Sequence, residues 1–578
     1  MVIGMAETQT VTGGRFLTTS VTPADVFTRE ELTEEQRMFG QTAAEFMRNE
    51  VLPNEGRLFA HDWAFVRTLL RKAADLDLLR LEIPEAYGGL GLSKISAAYV
   101  GEQIAVSPSF AGSIGSHTSI GTLPTVYFGN EAQKAKYLPR LASGEMVGAY
   151  ALTEPQSGSD ALAAKTSAVL SPDGRHYLLN GQKMWITNGG FADLFTVFAK
   201  VDGEKFTAFL VERAMGVKSG PDEKKLGLDG SSTTALMLDN VPVPVENVLG
   251  TIGEGHKVAF NILNIGRVKL GTRNISGARL ALNNATKYAK ERRQFGRAIA
   301  EFGLIKQKLA EMSLRCYIGD AMVYRALGDA DRALDAVDPA DAPAVLKAIE
   351  QFAVECSVNK VFTSETLAYV VDDALQVFGG NGYSREFPAE RAYRDARITR
   401  IYEGTNEINR MIIATRLLKN LEKSGFPNAD GKLQSSTTLT AEYTLLAAAK
   451  RLARALLGDA AAAFGHTAKD EQELLAHVSN IVIDIYAIES GLARTEKIAA
   501  RGSELAPVAV DSVRVFASDA ADRIAHAAKQ VARALAGAGR NSSTAELAAT
   551  VAAHPGVDTV AARRRIADAV IRVGRHPF

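Results

Sequence analysis

The sequence predicts a mostly α-helical chain with a central β-domain, in the order helix, sheet, helix, helix, and three observations carry that prediction. Between Thr33 and Ser143 the side chains Glu35, Met38, Phe39, Thr42 and Phe46, then Phe65, Val66, Leu69 and Leu70, recur at the three- and four-residue spacing of helices. From about Val147 to Leu249 the period falls to two, with Phe206–Val211 and Thr234–Leu238 as clear strands. After His256 helical periodicity returns. At 578 residues, 46% hydrophobic and 23% charged, the chain has an ordinary globular composition and room for about three or four domains.

Taken in order, residues 30–146 are expected to form an N-terminal helical domain. The glycine run Gly88-Gly89-Leu90-Gly91 within it is a turn and no dinucleotide fingerprint, because the sixth position of that pattern falls on Lys94 and no strand precedes it. Residues 147–250 form the β-domain. Asp173-Gly174, Asn180-Gly181 and Asp202-Gly203 supply turns that need positive φ, and Pro242 and Pro244 close the domain. Residues 251–423 read as a bundle with helices near 256–293, 301–329, 342–377 and 406–422. A Ser-, Gly- and Pro-rich linker is placed at 424–438, before an Ala-rich helical domain at 439–578.

Sixty-six basic residues balance 66 acidic ones, so a nucleic-acid partner has little electrostatic support. Cys316 and Cys356 are too few for a disulfide framework or a thiolate cluster, and the nine histidines form no metal motif, so no metal is expected. No apolar run is long enough to span a bilayer and no signal or transit peptide is evident, which predicts a cytoplasmic protein, or a mitochondrial one in a eukaryote. Tyr443, Leu445, Leu446, Leu452, Leu456 and Leu457, set among Lys450, Arg451 and Arg454, have two readings: a peripheral membrane contact, or core with a solvated basic face.

Five segments have the composition of a site. Tyr150–Asp160 (YALTEPQSGSD) starts as a strand and ends in small polar residues that suit an anion or a polar heterocycle, or form a plain turn. Lys183–Gly190 (KMWITNGG) sets an aromatic and a hydroxyl beside glycines, to pack a flat ring or to close a hairpin around one packed Trp. Glu291–Gly296 (ERRQFG) offers guanidinium forks at a helix end, either for phosphate or for the helix dipole. Gln376–Gly382 (QVFGGNG) is a glycine-rich helix exit. In Ile401–Ile408 (IYEGTNEI) the lone carboxylate Glu403 stands before a helix capped by Thr405 or Asn406; it is a general base raised in pKa by apolar neighbours, with an N–H free for an oxyanion, or a helix-dipole carboxylate.

Together and in this order the five segments resemble the acyl-CoA dehydrogenase family over about residues 33–422. KYLPRLASGE, PVPVENVLG, FGLIKQKLAEM and the extra C-terminal region are similar to its very-long-chain branch. The resemblance implies the family fold: an N-terminal helical domain, a β-barrel-like middle domain and a helical bundle, here with an added C-terminal helical domain. It implies FAD as cofactor and oxidation of an acyl-CoA to the trans-2-enoyl-CoA in fatty acid β-oxidation, with removal of the α-proton by a Glu and departure of the β-hydrogen to flavin N5. Matching IYEGTNEI assigns the base to Glu403. The other family position for a base, immediately before an Arg, is Gly266 ahead of Arg267 here and is absent.

Carried over position by position, the resemblance assigns Tyr150, Leu152, Thr153, Gly158, Ser159, Trp185, Ile186, Thr187, Thr405 and Asn406 to the FAD of their own subunit. Arg292, Gln294, Phe295, Phe302, Gln376, Val377, Gly379 and Gly380 match positions that reach a neighbouring subunit's FAD, which implies a homodimer. Ser159, Arg267, Tyr402 and Gly404 match substrate contacts, Arg267 on the CoA side. Gln156 and Ser157 depart from the smaller residues common in relatives. Gly121, in His117–Gly121, stands where medium-chain relatives carry a carboxylate-bearing pocket floor; it leaves room for a long tail or makes a tight helix contact. Long-chain preference and an electron-transfer flavoprotein as acceptor are expected, the alternatives being an oxygen-using acyl-CoA oxidase or a relative acting mainly as an assembly scaffold.

Overall fold

The computed structural model describes residues 13–19, 21–338, 341–424, 438–540 and 544–578. The expected linker lies almost wholly outside these residues. Eight strands pair into one sheet: β1 (Gly148–Ala151), β2 (Ser167–Leu170), β3 (His176–Thr187), β4 (Leu194–Val201), β5 (Lys205–Glu212), β6 (Lys218–Asp222), β7 (Thr233–Pro244) and β8 (Val248–Leu249). Their order is β6-β7-β3-β2-β4-β5-β8, with β1 parallel to β4. Strands β4 and β5 are buried on both faces, which explains their near-continuous apolar runs. One face packs Phe195, Val197 and Phe209 against Phe46, Leu69, Leu70 and Phe110 of the N-terminal helices. The other packs Phe198, Ala208 and Leu210 against Val258 and Ile262.

Val258 and Ile262 belong to the central helix Gly255–Glu291, 37 residues and so about 55 Å long. It runs against Gly303–Asp335 and Ala353–Phe378, with Asn406–Ser424 packed on the latter. The single helix expected at 342–377 is two, Ala342–Glu350 and Ala353–Phe378. At the break the backbone of Gly13 lies on the carbonyl of Gln351, and a Cβ there would come within 1.6 Å of that oxygen. Gly14 N–H donates to Glu355 at 2.5 Å, so the N-terminal segment crosses where the helix is interrupted.

Beyond the linker, Thr440–Phe464, Gln472–Ala500, Ala506–Gly537 and Thr559–Val573 pack on the outer side of the bundle in one core with Ile318, Met322, Val358 and Val361. The stripe offered as a membrane contact is part of that core: Tyr443, Leu445, Leu446, Leu452, Leu456 and Leu457 are all buried, and Lys450 pairs with buried Glu489. Their burial against the neighbouring helices removes that stripe as a membrane face. Residues at and ahead of the start of the expected N-terminal domain bind here too. Phe16 meets Tyr486 edge-on at 5.0 Å, and Glu30 pairs at 2.6 Å with fully buried Arg494. No helix among the described residues is long and apolar enough to cross a membrane.

Candidate active site

Glu403 has φ +56° and Gly404 φ +82°, two successive left-handed residues. The glutamate costs about 1–3 kcal/mol in that conformation, an expense that surrounding contacts must overdetermine. They do: Arg267 Nε donates to the Glu403 carbonyl at 3.0 Å, and Asn409 Nδ2 donates to the carbonyls of Gly404 and Thr405 at 2.8 and 3.0 Å. Thr405 caps the next helix through Ile408 N–H, whereas Asn406 turns inward to Lys360, Ser364 and Glu365. With its carbonyls held on one side, the loop leaves the Glu403 N–H without an acceptor among the described residues.

The Glu403 side chain is half-buried, and its Oε2 is buried without any hydrogen-bond partner. Burial pushes its carboxyl above the ordinary carboxylate range, and the charges of Arg267, Lys360 and Arg273 pull it back without overcoming that. A Cβ on Gly266 would sit 3.4 Å from Oε2, so positions 266 and 403 converge here, and of the two only Glu403 bears a carboxylate. The helix-dipole reading of Glu403 does not survive this geometry, because the carboxylate faces the central helix. Lys360, fully buried and unnoticed in the sequence, is pushed down to about 8 by burial, against the pull of Glu403. A lone lysine in an apolar helix pattern was the one signal that could have exposed it.

Within electrostatic reach of Glu403, Tyr150 on β1 packs its ring on Phe198 and donates its hydroxyl to the Ala259 carbonyl at 3.3 Å. Beyond β1 the polar loop is held by a buried pair, Glu154 and Lys183 at 2.7 Å, both essentially inaccessible. Burial pushes Glu154 up, but Lys183 together with donors from Thr166 and Lys165 outweighs it and holds the carboxyl below its usual range. Met184 N–H donates to the Thr153 carbonyl, so the first two motifs are locked together. The register of β3 on β7 breaks between Lys183 and Ile186; in that bulge Trp185 has φ +60° and is 52% exposed. An exposed indole on a strained bulge fits a platform for a planar ring and does not fit the packed Trp of a simple hairpin.

Several assigned residues are placed differently from expectation. Tyr150, Ile186 and Val377, on inward-facing positions of a strand or helix, and Leu152, just past the end of β1, have buried side chains, so only their backbones can face a cofactor. Asn406 is likewise buried, its amide committed to the Lys360, Ser364 and Glu365 cluster. Arg267 is not open to a CoA: it is buried, its Nε on the Glu403 carbonyl and its Nη1 on Asn264 at 2.8 Å. Its hydrogen bond holds the Glu403 backbone in place. Thr153, Thr187, Tyr402 and Gly404 are partly accessible and Gly158 and Ser159 are exposed. A Cβ on Gly121 would lie 2.6 Å from the Gly148 carbonyl carbon, so this glycine serves a close backbone contact, and its smallness says nothing of tail length. His117 beside it accepts from Gly148 N–H and bonds the Leu141 carbonyl.

The second set gathers at the far end of the central helix. Arg293–Gln294 and Arg297–Ala298 form a small hairpin whose turn, Phe295 and Gly296, has φ +51° and +81°. Phe295 is 93% exposed and meets Phe302 edge-on. Asn381 donates to Tyr288, which stacks on Phe378 at 4.3 Å, so the Gln376–Gly380 exit lies beside the hairpin. Arg292, Gln294, Gly379 and Gly380 are exposed. From Gly266 to Arg292 the helix advances roughly 39 Å, so one cofactor at the Glu403 end cannot be shared with this set within one chain.

Sequence profiles of the N-terminal, middle and C-terminal domains of acyl-CoA dehydrogenases match residues 33–145, 149–241 and 253–418, and a further acyl-CoA dehydrogenase C-terminal domain matches 448–544. A probable acyl-CoA dehydrogenase of Bacillus subtilis is 46% identical over 537 residues, 90% of each chain. The human very long-chain specific enzyme is 42% identical over 368 residues, 61% of this chain and 54% of its own. The crystal structure of a Bacillus anthracis acyl-CoA dehydrogenase complexed with FAD superposes with a TM-score of 0.93 at 42% identity, covering 98% of this chain and all of that one. The exposed indole, the polar loop beside it and the unbonded carboxylate fit a flavin and a thioester, and the chain belongs to the acyl-CoA dehydrogenase family, flavin-dependent oxidoreductases that use FAD.

Proposed function

We propose that the protein oxidises a fatty acyl-CoA to its trans-2-enoyl-CoA as a step of β-oxidation, with Glu403 as the base that takes the α-proton. The observation that carries this reading is the buried, unbonded Oε2 of Glu403, on a loop whose own N–H is free. An α-proton beside a thioester is far less acidic than any side chain, so the base must act together with donors on the developing enolate oxygen. The Glu403 N–H is such a donor, aimed by the carbonyl bonds to Arg267 and Asn409. FAD, when bound, supplies the acceptor for the β-hydrogen. Thr153, Ser159, Trp185, Thr187 and Thr405 are the residues that would hold it.

The functional unit is a homodimer, because the Arg292–Phe302 and Gln376–Gly380 set stands too far from the base to serve the same cofactor in one chain. Long-chain preference rests on the 42% identity to the human very long-chain enzyme and not on Gly121. The acceptor is an electron-transfer flavoprotein; rapid peroxide release in air would favour an oxidase instead. The reaction is tested by anaerobic mixing with acyl-CoAs from butyryl to palmitoyl: flavin absorbance bleaches in the wild type and persists in Glu403→Gln. Bleaching retained in that variant, or none with any acyl-CoA in the wild type, defeats the assignment.

A further inference from the structure

A cavity lies between the N-terminal helices and the central helix, walled by Leu79, Leu81, Ile83, Val100, Ile104 and Ile114. Its polar lining is unusual for a place that would take a hydrocarbon tail. Glu82 is its one carboxylate, and both Lys94 (2.8 Å) and Lys269 bond it. Glu82 is therefore already satisfied twice over. Arg273 also lines the cavity, and its guanidinium has no hydrogen bond or ion pair among the described residues. A Cβ on Gly115 would stand 2.0 and 2.1 Å from its two Nη atoms, and one on Gly101 would stand 3.6 Å from its Nε. Gly115 thus leaves the space this group occupies, and Gly101 touches it at ordinary van der Waals distance.

Arg273 follows Gly266 by seven residues, so it projects from the same face of the central helix about 10 Å further along. Gly266 abuts the Glu403 carboxylate, and the groups that act on the Arg273 charge are Tyr402, Glu403 and Glu82. The guanidinium therefore lines the cavity within electrostatic reach of Glu403. The guanidinium has no carboxylate partner among the described residues, and a fork of five donors is shaped for one. We infer that Arg273 is a specificity-determining residue that receives an anionic carboxylate carried on the acyl chain, so that the substrates this site selects are ω-carboxyacyl-CoA thioesters. This deepens the proposed function and rests on it.

The test compares adipyl-, suberyl- and sebacyl-CoA with hexanoyl-, octanoyl- and decanoyl-CoA on the FAD-loaded enzyme. At one chain length or more the wild type should favour the carboxylated member in kcat/KM. Arg273→Ala should lower the ratio of carboxylated to plain substrate about 10- to 100-fold, and Arg273→Lys should recover part of it, since a lysine keeps the charge and loses the fork. A flavin absorbance ratio like the wild type's shows that the variants are folded. Plain acyl-CoAs bleaching the flavin with no preference for the carboxylated series, or a ratio unmoved in Arg273→Ala, overturns this inference and leaves the dehydrogenase reading standing. No bleaching by either series removes both.

Discussion

Glu154 and Glu403 are two buried-site carboxylates treated in opposite ways. Glu154 receives Lys183, the Thr166 hydroxyl and two backbone N–H groups, and its carboxyl is held below the usual range. Glu403 has a buried oxygen with no partner, and its carboxyl is held above that range. Its neighbours bond the backbone of the same residue instead. Saturating a carboxylate makes a joint, here between the polar loop and the β3 bulge; starving it while fixing its backbone makes a base.

The contrast is broken most severely at Glu403. Glu403→Gln should cost about 100- to 10,000-fold in turnover, the range for a general base, with FAD content and melting temperature near those of the wild type; lost flavin would show that the carboxylate is structural after all. Next in size is Glu154→Ala, which leaves the Lys183 ammonium buried alone. It should destabilise the protein by about 3–5 kcal/mol, read by denaturant unfolding, and loosen flavin retention measured by ultrafiltration.

Arg267 sharpens the comparison. Arg267→Met removes a charge-assisted hydrogen bond from the Glu403 carbonyl, and kcat should fall about 10- to 100-fold. The base works deprotonated, so activity is lost as pH drops through its raised pKa. Removing the nearest cation raises that pKa further, and the acid limb of kcat against pH should move to higher pH. A limb that moves down or stays would separate Arg267 from the base. The smallest effect expected is at Gly121. Gly121→Ala forces a Cβ onto the Gly148 backbone and should cost about 1–3 kcal/mol, lowering the melting temperature while the acyl-length optimum stays where it was.

How far the site could be read from the chain depends on what each residue contributes. Glu403, Gly404 and Thr405 were legible because their types, in that order, require a carboxylate, a left-handed turn and a cap, all local properties. Trp185 was ambiguous until its bulge was seen, since a strand residue points inward or outward according to register. Arg267 was misassigned because a cation on a helix gives no sign of whether it meets a ligand or a carbonyl. Arg273 and Lys360 attracted no attention at all: their roles come from residues more than 40 positions away or from the walls of a cavity.

By itself the chain determined the order helix, sheet, helix, helix, the turns and the family motifs, and it singled out Glu403 as the candidate base, since periodicity and short polar patterns are set within a few residues of one another. Tertiary structure alone decided that the stripe beginning at Tyr443 is core, that residues 13–31 tie onto the C-terminal helices, that Gly121 is a backbone contact and that Arg273 stands unpaired in a cavity. The physical reason is that burial and pairing are properties of what arrives from elsewhere in the chain. Helix periodicity marks an apolar face without naming its partner, and a charge becomes joint, support or binding group only when its surroundings satisfy it or leave it wanting.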